Sequence, residues 1–565
     1  MHVAFLAIAL QLQIAALPAR PAQGVSATHA ADSTRDLKAA RSAQASFEFA
    51  RRSSLPEGFA SRGQCDVRLG RWCWWLDEVP PKLPPEPSSI VRRRAALIAT
   101  LDSLGDLHPG DDWIAGMRVH YRLDGKNAAS ADTVARACRA TTWWCLALLG
   151  YADHLLGQAA AAESAFAGAV EQMPEDERCK WEDISVLLPP NTRHYYEGLS
   201  CQARRAVDER YWILGRPRFA VGGNEWRSEF YVRHVQARLA DRSVTPRGGT
   251  WGHDDEELLL RYGWPVGWSR EQQIGFAADP IVISYDPVPS FNFAPDEALY
   301  DTTASAQNDA WDMKVRTAES RFAPLGVKRI APVAMQIARF RRGDSTLVVS
   351  AFRASDDSLL AAGPAVLGVT MPDGTVRTVE GSGTNGTAML TVERSPLLAG
   401  VDVSDTTTST LARSRMLMRP LATGPGLAVS DLLLFNADDG APESVGAALE
   451  KAIPGDTIYR NRPIGVYWET YGVADQGEAL EVAVTVERID RSWLRGVRQK
   501  LKLSDPDSPL RLHWSDARPA EAGEALSRAI SLQLANLEPG KYRITMTLSG
   551  ADQAAATAAR EVELR

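Results

Sequence analysis

Five consecutive residues, His253-Asp254-Asp255-Glu256-Glu257, carry the atom types of a metal site or of a catalytic carboxylate pair. Their spacing argues against both. Adjacent side chains rarely converge on one ion, and helical ligand pairs stand three or four residues apart. The row reads instead as the capped, acidic start of a helix, where negative charge meets the exposed amide end. Downstream, Leu258-Leu259-Leu260 followed by Arg261-Tyr262-Gly263-Trp264-Pro265 suggests a short buried strand entering a tight turn. Gly263 then takes a backbone angle closed to other residues. Arg261 is expected to fork onto Asp254 or Asp255 as a structural ion pair, with ligand binding as its alternative role.

Other motifs carry less. Gly381-Ser-Gly-Thr-Asn-Gly386 matches the spacing of a dinucleotide fingerprint, but a strand pattern, Ala388–Val392, follows where a helix is required. Gly343-Asp344-Ser345 enters a strand pattern, and no Gly-x-Ser-x-Gly elbow exists. Neither His-Glu-x-x-His, a phosphate loop nor a calcium loop is present, so no cofactor is expected. His120 and His154 fall in helical patterns, where a core or surface role is the default. Trp264 and Trp268, with Tyr262, form a candidate aromatic patch for a peptide or glycan, since indole joins an apolar body to a polar tip.

The six cysteines, Cys65, Cys73, Cys138, Cys145, Cys179 and Cys201, all lie in the first 201 residues. An even count in one region points to disulfides and an oxidising compartment. Proximity favours the pairs Cys65–Cys73, Cys138–Cys145 and Cys179–Cys201. Cys138 and Cys145 would lie about 10 Å apart along one continuous helix, too far to bridge. Their bond therefore needs a chain reversal at 139–142, with Thr141 or Thr142 capping the next helix. The opening residues agree with an oxidising compartment. Val3 to Leu17 is almost wholly apolar and small residues follow, which predicts a signal peptide over 1–27. No later stretch is long and apolar enough to span a membrane. A net charge of −7 gives no basis for nucleic-acid binding.

Trp143, Leu146, Leu149, Gly150, Gly157, Ala162, Phe166, Ala169 and Pro174 fall on the small and large sites of a tetratricopeptide repeat. The segment from Trp113 to Gly125 reads as a preceding copy at an offset of about 32 residues, near the usual 34. The stretch Trp251 to Pro265 resembles the GWxTD domain of secreted bacterial proteins. Trp251 and Asp254 keep that motif's Trp-to-Asp spacing, and Arg261, Tyr262, Gly263 and Pro265 keep its downstream Arg-Tyr-Gly-x-Pro. Thr250 stands where the motif has Gly, and His253 where it has Thr. The resemblance covers roughly residues 205–275; it implies an architecture and no chemistry.

At 565 residues the chain exceeds one hydrophobic core. The expected fold is multidomain α + β. Residues 28–87 form a loose arm and Pro-rich spacer, 88–203 a tetratricopeptide-like helical domain, and 204–275 the GWxTD-like, α-rich block. Within that block Trp226, Phe230 and His234 mark an amphipathic helix ending near Asp241. The Arg92-Arg93-Arg94 run reads as a solvated helix face. A linker over 276–327 leads to two immunoglobulin-like β-sandwiches, 328–437 and 455–565, joined by a linker over 438–454. The function expected is non-catalytic, exported and adhesive: binding of another envelope protein or polymer. The rival is a hydrolase of an envelope polymer, with Asp254, Asp255 and Glu257 near Arg261.

Overall fold

The computed structural model describes residues 25–58, 65–75, 82–271, 281–285, 294–300, 311, 319–354, 363–381, 385–393, 396–419, 421, 426–473, 479–490, 509–517, 525–550 and 553–565. Most of the signal peptide expected over 1–27, much of the expected 276–327 linker and the centre of the Gly381–Gly386 loop lie outside them. Among the described residues no helix is long and apolar enough to cross a membrane.

The arm expected to be loose is a 29-residue helix, α1 (Val25–Ser53). Its Ala- and Ser-rich composition hides one buried face, Ala40, Gln44, Phe47, Glu48 and Arg51, spaced at helical intervals. Phe47 meets Tyr121 edge to face at 5.3 Å. A small hairpin follows, β1 (Val67–Leu69) and β2 (Trp72–Trp74), with Cys65 bonded to Cys73. Residues 82–87 form neither helix nor strand, and Pro87 stands at the N-cap position of α2 (Ser88–Leu107). The arginine run is not uniformly solvated. Arg94 shares the buried face of Ile90, Leu97 and Leu101 and pairs with Glu86 and Asp124.

Two helix pairs come next: α3 (Asp112–Asp124) with α4 (Ala128–Arg136), then α5 (Thr142–Leu155) with α6 (Ala159–Gln172). Both turn through a left-handed residue, Lys126 (φ 60°) and Gly157 (φ 76°). The same pair of backbone bonds closes each turn: Asn127 N to Arg122 O, and Gln158 N to Asp153 O, with Lys126 N to Leu123 O matched by Gly157 N to His154 O. The structural offset is thus 31, not 32. Matching Gly125 to Gly157 misaligned the copies by one, because a lysine fills the left-handed position in the first. Gly150 admits Phe166 so closely that a Cβ there would fall 2.8 Å from its ring. The reversal between α4 and α5 brings Cys138 and Cys145 to a Cα separation of 5.6 Å, and they are bonded. Thr141 sits at the cap position, but its side chain accepts no capping bond; its amide donates to Asp112 instead.

Helices α7 (Glu175–Trp181), α8 (Pro190–Glu197) and α9 (Cys201–Leu214) follow, with Cys179 bonded to Cys201. Helix α10 (Glu225–Ala240) starts at Asn224, whose side chain accepts from the amides of Trp226 and Arg227. It was expected to be amphipathic, yet 13 of its residues are buried. It is the central pillar of the helical unit. The predicted Leu258–Leu260 strand is instead the second half of α11 (His253–Tyr262). Leucine is a strong helix former, and the acidic first turn favours the helix N-terminus. A hairpin of β3 (Gly267–Glu271) and β4 (Ile281–Tyr285) and a short α12 (Glu297–Tyr300) complete this half.

The first β unit contains β5 (Arg329–Arg342), β6 (Ser345–Ala354), β7 (Ala365–Thr370), β8 (Val376–Gly381), β9 (Asn385–Val392), β10 (Leu398–Asp405) and β11 (Thr410–Leu417), in the order β8-β7-β10-β11-β5-β6-β9. Strand β5 serves two layers. Residues 329–332 pair parallel with β11, and 333–342 pair antiparallel with β6. The Pro372-Asp373-Gly374 hairpin turn holds Gly374 at φ 82°. The second unit contains β12 (Ala428–Val429), β13 (Leu433–Asn436), α13 (Val445–Glu450), β14 (Thr457–Ile458), β15 (Ile464–Tyr471), β16 (Ala479–Arg488), β17 (Leu510–Ala517), β18 (Ala525–Leu532), β19 (Gly540–Ser549) and β20 (Ala556–Leu564). Its sheets are β12 and β13 with β15 and β18, and β14-β20-β19-β16-β17. The boundary thus differs from expectation. Residues 428–436 pair with β15 of the second unit, and the expected 438–454 linker contains α13. Apolar alternation marks strands but not the sheet to which each belongs.

Candidate functional site

The acidic row lies at the start of α11. Asp255 accepts from the Gly252 amide, closing the helix end. Arg71, at the tip of the β1–β2 hairpin, grips Asp254 through Nε and Nη2 at 2.8 Å each and reaches Asp255 at 2.6 Å. That grip holds the Asp254 carboxyl well below the usual carboxylate range. Asp255 is pushed up by burial, against the pull of Arg247 and Arg71. His253 is exposed. Arg261 does not fork onto either aspartate. It pairs with Glu257 one turn back at 2.7 Å and with Glu319 at 3.0 Å. A helix brings Glu257 and Arg261, four residues apart, into contact on one face, whereas along a strand they would stand about 13 Å apart. Among the described residues, no cluster of three His, Cys, Asp or Glu side chains is placed to hold a metal ion.

The other half of the block is a joint. Tyr262 stacks on Trp74 at 5.0 Å, away from Trp264, so the three aromatic residues do not form one patch. Gly263 has φ 82°, and Arg233 from α10 packs against it. The Arg233 guanidinium donates to the Leu260 and Arg261 carbonyls, capping α11, and to Arg321 O. Trp251 lies beside Leu258, Trp264, Pro265 and Trp268 around a minor cleft. The turn after Gly263 then carries Trp264, Pro265 and Trp268 into the wall of something larger.

That is an open cavity of about 1110 Å3, lined by the end of α1, residues 83–87, α2, α3, α5, α10, the Trp264–Trp268 segment and residues 322–325. Three polar constellations line it. Asp124 accepts from Arg51 at 2.9 Å and Arg94 at 2.7 Å, and Arg94 also holds Glu86. Glu229 bridges His154 at 3.0 Å and Arg233 at 2.8 Å. Tyr151 hydroxyl accepts from Gln236 at 3.1 Å and lies 3.3 Å from His120 Nδ1. Burial raises the Glu229 carboxyl, but Arg233 and His154 outweigh it and hold the group at about 2. Burial lowers His120 to about 4, so the ring is neutral at ordinary pH. Trp264 meets His120 edge-on at 5.3 Å and Trp268 at 5.9 Å. The Arg51 guanidinium lies over Trp268 at 4.8 Å.

Sequence reasoning placed Trp264, Pro265 and Trp268 among its candidates and missed Arg51, Arg94, Asp124, Tyr151, Glu229 and Gln236. One signal was available. Arg94 and Asp124 are charges on otherwise apolar helix faces, where an unpaired ion is too costly to persist. No motif predicted that these faces converge.

No family model matches the chain, and no curated protein matches it. Among solved structures it is similar to a red sea bream transglutaminase, at 10% identity and a TM-score of 0.15 over 41% of this chain and 31% of that one. It is also similar to a Bacteroides uniformis beta-glucuronidase, at 10% identity and 0.15 over 39% and 26%. A calcium-binding mutant of B. uniformis beta-glucuronidase 2 gives 10% identity and 0.17 over 40% and 27%. The chain thus spans about a third or less of those proteins' length. Likenesses this loose carry no argument.

Proposed function

We propose that this is a non-catalytic protein of the bacterial cell envelope, periplasmic or secreted, that binds another envelope protein or polymer. The observation that carries the reading is the contrast between its two polar regions. The acidic row is consumed by a helix cap and by Arg71, Arg247 and Arg261, whereas the cavity presents aromatic surface and hydrogen-bonding groups. A hydrolase built on Asp254, Asp255 and Glu257 would first have to release those ion pairs. Three disulfides suit an oxidising compartment.

The repeated turn of the two helix pairs supports a tetratricopeptide-like reading of that region, and the intact Arg261-Tyr262-Gly263 joint supports a GWxTD-like block. For immunoglobulin-like β units the support is Tyr542, whose hydroxyl donates to Glu538 O four residues upstream at 2.8 Å, the bond of a tyrosine corner. The test is retention of solubilised native envelope components on the immobilised protein. The parent is expected to hold a saturable component that Trp264→Ala releases and Asp254→Asn keeps. Equal retention by parent and Trp264→Ala, or loss confined to Asp254→Asn, would overturn the assignment of binding to the cavity.

A further inference from the structure

We propose that the cavity takes up a single acyl chain carrying one negative charge at its head; this rests on the binding role above and names the part of the envelope component that enters. Charge selects the head. Arg51, Arg94 and Arg233 stand against Asp124, Glu86 and Glu229, and these six groups pair with one another at 2.9 Å or less. The fourth cation of the lining, Lys126, is exposed and has no ionic partner among the described residues. Counting Lys, Arg, Asp and Glu, the lining carries one positive charge in excess, at its rim. A monoanion is favoured there over a neutral or cationic group.

The body of the ligand is set by what the wall leaves uncovered. The ion pairs offer little polar surface: the side chains of Arg51 and Arg94 are 8% exposed and that of Arg233 is 1% exposed. Tyr151 bonds to His120 and Gln236, and His154 to Glu229. The surface that remains is apolar. Leu55, Leu83 and Leu155 are half-buried along the wall, and Val266 and Leu325 stand 56% and 59% exposed beside them. Covering such surface drives the binding of an apolar chain. The volume, about 1110 Å3, exceeds the roughly 300–1,000 Å3 of ordinary small-ligand pockets, so a long chain is accommodated.

Two other ligand classes fit less well. A peptide brings an amide and a carbonyl with every residue, each needing a partner. Strand β3 brings Gly267 and Trp268 to the wall, but its outward edge is already in use beside them, where Arg270 donates to Pro56 O and accepts from Gly58 N. Pro56 has no amide hydrogen to offer, and it is one of five prolines in the lining. A glycan would set its hydroxyls against the same donor-poor, apolar wall, at the cost of their bonds to water.

The experiment is calorimetric titration of the full chain with octanoate, decanoate, laurate and the cationic dodecyltrimethylammonium, each below its micelle threshold. One laurate should bind per chain, and each added pair of methylenes from octanoate upward should tighten binding about tenfold. Laurate should bind about fivefold or more tighter than dodecyltrimethylammonium, and Lys126→Glu should cancel that preference. Leu325→Ser, at a site already open to solvent, should weaken both amphiphiles by a similar factor of about threefold or more. A rise from about 0.05 to 0.5 M salt should narrow the preference for laurate without removing its binding. Absence of laurate binding overturns the proposal, as do an affinity indifferent to chain length and equal affinity of the parent for the two heads. Retention of an envelope component that Trp264→Ala releases, alongside any of these results, would leave the binding role standing and remove only the acyl chain.

Discussion

Gly263 and Glu48 show how single residues set the terms around the cavity. A Cβ at Gly263 would stand 2.9 Å from Arg233 Nη2, and φ is 82°. Gly263→Ala is therefore strained twice and should lose about 1–3 kcal/mol, read as a lower midpoint in chemical denaturation. The same change at Gly249, also left-handed but open around its Cα, should cost less. Glu48 makes a pH prediction. Burial raises its carboxyl to about 7, against the opposing pull of Arg51 and of the Tyr121 hydrogen bond. The folded chain thus keeps a proton that the unfolded chain releases from about pH 4.5 upward. That contribution to stability is full below the unfolded value and is lost as pH climbs to about 7. Glu48→Gln removes the linkage, so the stability difference between variant and parent should move in the variant's favour by about 3 kcal/mol across that window. Denaturation at a series of pH values measures it; a flat difference would place the proton elsewhere.

At the scale of elements, legibility followed the strength of local period. Helix α10 was announced by Asn224 and the rows Trp226-Phe230-His234 and Tyr231-Val235-Leu239, and β19 by the inward set Tyr542, Ile544, Met546 and Leu548. Helix α1 was not, because most of its face is Ala, Gln, Glu and Arg, whose burial depends on partners more than 70 residues away, such as Tyr121 and Asp124. Helix α11 was misread because a leucine run bounded by a glycine suits a buried strand as well as a helix. The cavity was half legible. Its aromatic wall lies on a recognisable block, while its polar lining is spread over five helices. The disulfides belong to this scale too. Cys179–Cys201 closes 22 residues of chain and Cys138–Cys145 seven. On chain entropy alone, replacing the first pair by serines should cost about 3 kcal/mol and the second about 2–3 kcal/mol, compared by thermal unfolding of the two double variants. The reverse order would mean that the short bridge sets the α4–α5 reversal itself.

At the scale of the molecule, the helical half and the β half are locked by a buried ion pair. Asp402 on β10 accepts from Arg415 at 2.6 Å and from the Phe219 amide at 2.6 Å, just after α9. Arg415 also donates to Pro217 O, and its guanidinium lies 4.0 Å over the Phe219 ring. Phe219 fills the space that Gly368 leaves, since a Cβ there would fall 2.0 Å from its ring. The two β units are joined as firmly. Arg560 donates to Leu432 O and Ile337 O, and the outer face of β5 and β6 packs on Leu433, Phe435 and Tyr467. That packing explains why β6 is buried on both faces although its sequence alternates. These joints make the wall around the cavity depend on structure far from it. Asp402→Ala leaves Arg415 buried without its carboxylate, a loss of about 3–5 kcal/mol, and frees the Phe219 amide. The loss should fall on the joint before it reaches the core of either half. Unfolding is then expected to split into two transitions, with the protease-sensitive site between residues 215 and 223 cut in the variant and protected in the parent. Gly368→Val should reproduce the split from the opposite surface, by displacing Phe219 without touching a charge. A single transition in both variants, shifted down but unsplit, would mean that the halves unfold as one unit and that the joint carries no separate cooperativity.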